Sequence, residues 1–166
     1  MSELRKQHFE HHRLPNGVTV LGERMEAVSS AALVVMLPVG AATDPTGEDG
    51  TSSLLTEMLG KGAGRFSSRE LSQQFEDVGV HRGAAAGIEV STLSASMLGE
   101  NSERAIELTG MLLREPLLPE AELDSVKQLA LQDLEALEDE PSSKVMTELA
   151  AKFYPAPFGR SQLGTK

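Results

Sequence analysis

Gly50-Thr51-Ser52-Ser53-Leu54-Leu55-Thr56-Glu57-Met58-Leu59-Gly60-Lys61-Gly62-Ala63-Gly64 reads as one short helix held between glycines. Leu54, Leu55, Met58 and Leu59 recur at the spacing of one helical face, and the glycines from position 60 onward stop it. The sequence on either side changes period. Upstream, Val18-Thr19-Val20-Leu21 and Ala31-Ala32-Leu33-Val34-Val35-Met36-Leu37-Pro38-Val39 read as strands. The first follows the tight turn Leu14-Pro15-Asn16-Gly17, and the second is apolar enough to predict burial on both faces. Residues 40–50 read as a loop. Downstream, Ser67 and Glu70 have capping-box spacing with Leu71, Phe75 and Val78 on one side, so a second helix starts at Ser67, and Gly79 ends it. Two more strands are predicted over residues 80–86 and 88–97. Between them Gly83-Ala84-Ala85-Ala86-Gly87 reads as a hinge whose small side chains admit another backbone. The remainder is helical over residues 105–113, 119–138 and 142–153, with Pro119 in an acceptable first-turn position and Pro155 and Pro157 as terminators. The order β-β-α-α-β-β-α-α-α predicts an α+β domain, a mainly antiparallel sheet with helices packed on one face.

Composition narrows the function classes. One hundred and sixty-six residues fit one domain, with 40% apolar and 24% charged residues allowing a packed core. Fifteen Lys and Arg against 25 Asp and Glu give a net charge of −10, which argues against nucleic acid and anionic membrane as partners. Between Glu100 and Glu140, nine Glu and three Asp face only Arg104, Arg114 and Lys127. That run reads as a solvated helical face, with an acidic wall facing a basic partner or peptide as the alternative. No apolar stretch reaches the length of a membrane span, so no membrane insertion is expected. The opening Met1-Ser2-Glu3-Leu4-Arg5-Lys6 is not a signal-type core. A cytoplasmic location is therefore expected, or a periplasmic one if a signal segment has been removed. The absence of cysteine excludes a disulfide framework, thiolate catalysis and any Cys-containing metal site.

Chemistry-bearing residues are few. His8-Phe9-Glu10-His11-His12 clusters three of the four histidines, but strand alternation would send His11 and His12 to opposite faces, and a solvated surface is the expectation. His81 stands alone, with no Ser/Asp pattern to make a triad. The loop Gly60-Lys61-Gly62-Ala63-Gly64 follows a helix instead of leading into one and lacks the ending Gly-Lys-Ser/Thr, so no nucleotide site is predicted. More informative are Ser53, Thr56, Glu57 and Asp133. Ser53 and Glu57 are four apart, hence on one helical face, while Asp133 lies beside the apolar stripe of Leu129, Ala130 and Leu137. From spacing alone, the simple reading is an Asp133 carboxylate hydrogen-bonded to Ser53 or to a backbone amide. The alternative, a site of a hydroxyl and two carboxylates, suits Mg²⁺ or Ca²⁺ better than Zn²⁺.

The same residues resemble the N-terminal half of the pitrilysin/insulinase/mitochondrial-processing-peptidase family, the inverted zincins. Those enzymes carry His-x-x-Glu-His on a helix within Gly-x-Ala-His-Phe-Leu-Glu-His-Met-x-Phe-Lys-Gly-Thr, a frame similar to Gly50 through Ala63 here. Agreement extends through Leu14-Pro15-Asn16-Gly17, Gly40 with Asp44, Glu115-Pro116, Glu138-Asp139-Glu140-Pro141, Gly159-Arg160 and Leu163-Gly164-Thr165. On this resemblance the first histidine position is Ser53, the glutamate is Thr56, the second histidine is Glu57, and the distant ligand falls on Asp133. The outer-shell carboxylate becomes Val126, and the asparagine that precedes the small residues of the substrate-edge strand becomes Gly83.

The resemblance therefore implies a family member without zinc ligands or general base, so no catalytic residue, no metal and no zinc cofactor are expected. Residues 1–166 are read as its N-terminal peptidase-like domain, truncated before its natural end. The expected function is that of an inactive subunit that pairs with an active His-x-x-Glu-His subunit and helps to bind peptide substrate along Gly83, Ala84, Ala85 and Ala86. Two other readings are a structural core subunit of a larger complex, of the respiratory core-protein type, and an active zinc metalloendopeptidase with substitute ligands. Thr56 argues against the last, being no efficient base near neutral pH.

Overall fold

A computed structural model describes residues 8–165. The first strands are β1 (Phe9–Arg13), β2 (Thr19–Glu23) and β3 (Ser30–Leu37), followed by a single 3₁₀ turn (Ala41–Thr43) and α1 (Thr51–Leu59). A miniature hairpin, β4 (Gly62–Ala63) and β5 (Phe66–Ser67), leads into α2 (Ser68–Glu76). Then come β6 (His81–Ala86), β7 (Ser91–Leu98), a second 3₁₀ turn (Gly99–Asn101), α3 (Ser102–Arg114), α4 (Glu120–Glu138) and α5 (Pro141–Phe153). The opening Met1-Ser2-Glu3-Leu4-Arg5-Lys6 lies outside the described residues.

Every strand pairing is antiparallel. β1 and β2 form a hairpin through Leu14-Pro15-Asn16-Gly17, with Gly17 at φ +89 where a side chain would be strained. The main sheet has the order β3-β7-β6. Its central strand alternates cleanly: Ser91, Leu93, Ala95 and Met97 point inward and are buried, and register brings Leu33 and Arg82 opposite Ala95 on the same face. Against this face pack α2 through Leu71 and Phe75 and α3 through Ala105, Leu108 and Leu112, with Ala63 and Val80 completing the core. Fully burying such side chains contributes roughly 1.5–3 kcal/mol each for the larger ones. The α+β arrangement with helices on one face is as the periodicity predicts.

Two expectations change. β3 is not buried on both faces. It is an edge strand whose inward side chains are half-buried, while Val34 and Met36 on the outer face are 60% and 65% exposed, because the helices lie on the other side. Nor is the predicted hinge Gly83-Ala84-Ala85-Ala86-Gly87 a hinge before its last residue, Gly87: the other four are strand. These residues form the body of β6, and the turn is made by residues 87–90, with Gly87 N–H donating to Val90 O at 2.9 Å. The close backbone approach expected there does occur, at Gly87 and the residue after it. Ala41 and Ala42 donate to Gly87 O and Ile88 O, and a β-carbon on Gly40 would stand 2.5 Å from Ile88 O.

Candidate functional site

Helix α1 carries three of the four residues singled out by spacing, and it is positioned from outside itself. It starts after Gly50, at φ +100, with no side-chain cap from its own first turn. The orphan amides of that turn are taken by Asp44: Oδ2 accepts from Gly50 N–H and Oδ1 from Ser52 N–H, both at 2.8 Å. Asp44 is buried. Its loop is in turn clasped by Arg160, whose Nη1 donates to Ala41 O and Asp44 O at 3.2 and 2.5 Å and whose Nε lies 3.3 Å from Asp49 Oδ1. Gly164 seals the junction, since a β-carbon there would meet the Asp49 carbonyl and Gly50 Cα. Asp44, Gly50, Arg160 and Gly164, scattered in sequence, thus converge on the start of one helix.

The other end of α1 is different. Thr56 is buried, and its hydroxyl donates to Ser52 O at 2.7 Å and lies 3.1 Å from Ser91 Oγ. Ser53 is half-buried and Glu57 is exposed. Thr56 and Glu57 line a hollow of about 400 Å³ together with Gly83 and Ala84 of β6. Asp133, exposed on the later half of α4, lines a separate hollow of about 590 Å³ against α5 and Arg160. Ser53 lines neither of the two. The predicted hydrogen bond from Asp133 to Ser53 or a backbone amide is absent among the described residues; an exposed carboxylate has water and needs no such partner. Val126, at 2% exposed, is the buried residue of α4, so that position anchors the helix by packing. Among the described residues no three His, Asp or Glu side chains converge as a metal cage would require. The histidines of β1 are exposed, with His12 Nε2 3.6 Å from Glu10.

Of the predicted strand edge, Gly83, Ala84 and Ala85 are exposed and Ala86 is half-buried, and β6 pairs with β7 alone among the described strands. Its other side is an open edge next to the hollow. Sequence reading missed two cations in that hollow, Lys61 and Arg82. The available signal was parity: Arg82 shares the inward face with Ala84 and Ala86, where a lone guanidinium among small residues needs an explanation. The acidic run from Glu100 to Glu140 is solvated as expected, every carboxylate except that of Glu122 belonging to an exposed residue. Among the described residues no helix is long and apolar enough to cross a membrane.

Comparison with known proteins fits this frame. A "zinc protease" of Rickettsia felis, itself uncharacterized, is 28% identical over 160 residues, covering 96% of this chain and 39% of the relative. The probable mitochondrial-processing peptidase subunit beta of Arabidopsis thaliana is 28% identical over 152 residues, covering 91% of this chain and 29% of that one. In structure, the chain is similar to a peptidase M16 inactive domain from Pseudomonas fluorescens, with TM-score 0.85 at 21% identity, over 95% of this chain and 39% of that one. The chain thus spans about two fifths or less of the length of these relatives. The family model "Insulinase (Peptidase family M16)" matches residues 19–166, and the chain belongs to that family.

Proposed function

We propose that this chain is a catalytically silent peptidase-fold subunit that pairs with an active His-x-x-Glu-His subunit of the same family and helps to hold the peptide which that subunit cleaves. The observation that carries this reading is the state of Thr56. In the family frame its position belongs to the carboxylate that takes a proton from water; here it is a buried hydroxyl already donating to Ser52 O. The surrounding donors fit zinc no better. A hydroxyl at Ser53 and carboxylates at Glu57 and Asp133 replace a set rich in imidazole nitrogen, and Asp133 lines a different hollow from Glu57. Zinc does not fit these residues, and no step of the reading runs through it. What remains useful is the surface: an edge strand of small residues beside a hollow, suited to strand addition, in which a peptide backbone pairs with the free N–H and C=O groups.

Elemental analysis after dialysis against micromolar zinc tests the first half, with much less than one equivalent expected. One tightly held zinc, lost in Asp133→Ala but kept when His8, His11 and His12 are replaced, overturns it. Proline tests the second half. Of Ala84 and Ala85, alternation turns one N–H toward β7 and the other toward the open edge. Proline at the open-edge position is expected to abolish peptide capture by the reconstituted pair with little loss of fold. A folded variant at that position that captures and cleaves peptide at the parental rate leaves the structural-subunit reading as the better one.

A further inference from the structure

The hollow between α1, α2 and β6 holds a group that the silent-subunit reading does not use. Arg82 projects from the inward face of β6, and its Nη2 donates to Ser72 Oγ on α2 at 2.9 Å. Its guanidinium carbon lies 5.1 Å from the Phe75 ring centroid. Nη1 reaches the end of α1, 3.7 Å from where a β-carbon on Gly60 would stand. Burial pushes this guanidinium below its ordinary pKa, with the negative charge of Glu76 working against the shift. A guanidinium has five N–H donors. Among the described residues, only Ser72 is found accepting from this one, and no carboxylate forms an ion pair with it.

Lys61 and the serines at 68 and 72 line the same hollow, and Glu57 is its one carboxylate. In a chain of net charge −10, this leaves two cations lining one hollow, with donors of Arg82 unspent. The hollow also abuts the open edge of β6, because Gly83 and Ala84 form part of its wall.

We propose that the hollow is a carboxylate subsite, in which Arg82 and Lys61 select an acidic side chain of a peptide paired along β6. The proposal rests on the strand-addition reading above. Directly paired residues on neighbouring strands point to the same face. A peptide residue set opposite Ala84 therefore projects inward, to the face occupied by Arg82, Ala84 and Ala86. The Ala84 methyl leaves that space open, and the Arg82 fork matches the two oxygens of a glutamate carboxylate. A lysine at the same peptide position would meet two like charges. The partner of this surface is therefore an extended acidic peptide.

Fluorescence anisotropy on the 166-residue chain tests this with three labelled peptides, Thr-Val-Thr-Thr-Xaa-Thr-Val-Thr-Thr, in which Xaa is Glu, Gln or Lys. The Glu peptide is expected to bind about tenfold tighter than the Gln peptide, and the Lys peptide to bind weakest. Arg82→Gln should erase the preference while holding the Gln peptide within about twofold, Arg82→Lys should keep part of it, and Lys61→Gln should reduce it by about threefold. If Glu and Gln peptides bind alike, or the preference survives a folded Arg82→Gln, the carboxylate subsite is wrong and strand addition stands. If no peptide binds, both fall. A Glu preference untouched by proline at the open-edge position, or glutarate displacing the Glu peptide as well as unlabelled peptide does, overturns the peptide as the source of the carboxylate. Should Arg82→Gln fail to fold, the peptide series on the parent chain and on Lys61→Gln decides the matter.

Discussion

The first turns of α1 and α2 solve one problem in opposite ways. In α2 the cap is local: Glu70 N–H donates to Ser67 Oγ at 3.5 Å and Glu70 Oε2 accepts from Ser67 N–H at 2.9 Å, all within four residues whose two capping members are exposed. In α1 the cap is remote: buried Asp44 reaches Gly50 and Ser52 across six and eight residues, and Arg160 holds its loop from 116 residues away. A helix that caps itself is set by its own sequence, whereas the helix that carries the candidate site is set by the tertiary structure. The start of α1 is therefore held by a web of bonds on which its placement depends, while among the described residues the face bearing Ser53 and Glu57 has no comparable web.

That contrast is broken most directly at Asp44. Asp44→Ala leaves two amides of the α1 first turn without acceptors in a buried setting and is expected to cost about 2–4 kcal/mol in denaturant unfolding. Asp133→Ala, at an exposed position without a structural partner, should change stability by no more than about 0.5 kcal/mol. A large loss at Asp133 with a small one at Asp44 would reverse the assignment of scaffold and surface. Arg160→Met is the next step down. It removes donors to two carbonyls and the ion pair with Asp49 but keeps an apolar stem, with an expected cost of about 1–2 kcal/mol. Urea midpoints of the single and double variants with Asp44→Ala read the coupling, and additive losses would mean that Arg160 does not act through the Asp44 loop.

The same contrast explains what was legible in the sequence. The start of α2 was readable because Ser67 and Glu70 state it locally, while its end falls at Glu76, ahead of the Gly79 expected to stop it. α1 was readable as a helix from Leu54, Leu55, Met58 and Leu59, but nothing in its periodicity names Asp44 or Arg160 as its supports. Those emerged only as scattered agreements with a family frame, and the structure gives them one location. β3 misled because an apolar run reports what a strand can bury, and whether both faces are covered depends on which side the helices take. Residues 83–86 were singled out through their small side chains but were read with Gly87 as one hinge, whereas only Gly87 belongs to the turn. Arg82 went unread because its surroundings on α1 and α2 are brought to β6 by the fold, and Lys61 because its glycine-rich loop suggested only a phosphate motif that did not fit.

Among the groups that hold the two helix starts, the smallest expected loss lies at the local cap and sharpens the comparison from the other side. Ser67→Ala removes one acceptor from an exposed helix start and should cost about 1 kcal/mol, less than Asp44→Ala, because water replaces the lost partner. Glu70 adds a pH signature. Hydrogen bonds from the Ser67 backbone, and then from its hydroxyl, hold the Glu70 carboxyl below its ordinary value of 4.5, against a weak opposing push from burial. A carboxylate whose folded pKa is depressed contributes stability that is fully present above the unfolded pKa and is lost as pH falls through the folded one. The Tm difference between the parent and Glu70→Gln should therefore be constant from neutrality down to about pH 5.5, then shrink through and below 4.5 as the parent's carboxylate is protonated. Gln keeps an acceptor for the Ser67 amide without a charge, so the pH-dependent part of the difference isolates the ionised form. A Tm difference that stays flat from pH 7 to about pH 3 would show that the charge of Glu70 contributes nothing to α2, leaving Ser67 as its whole local cap.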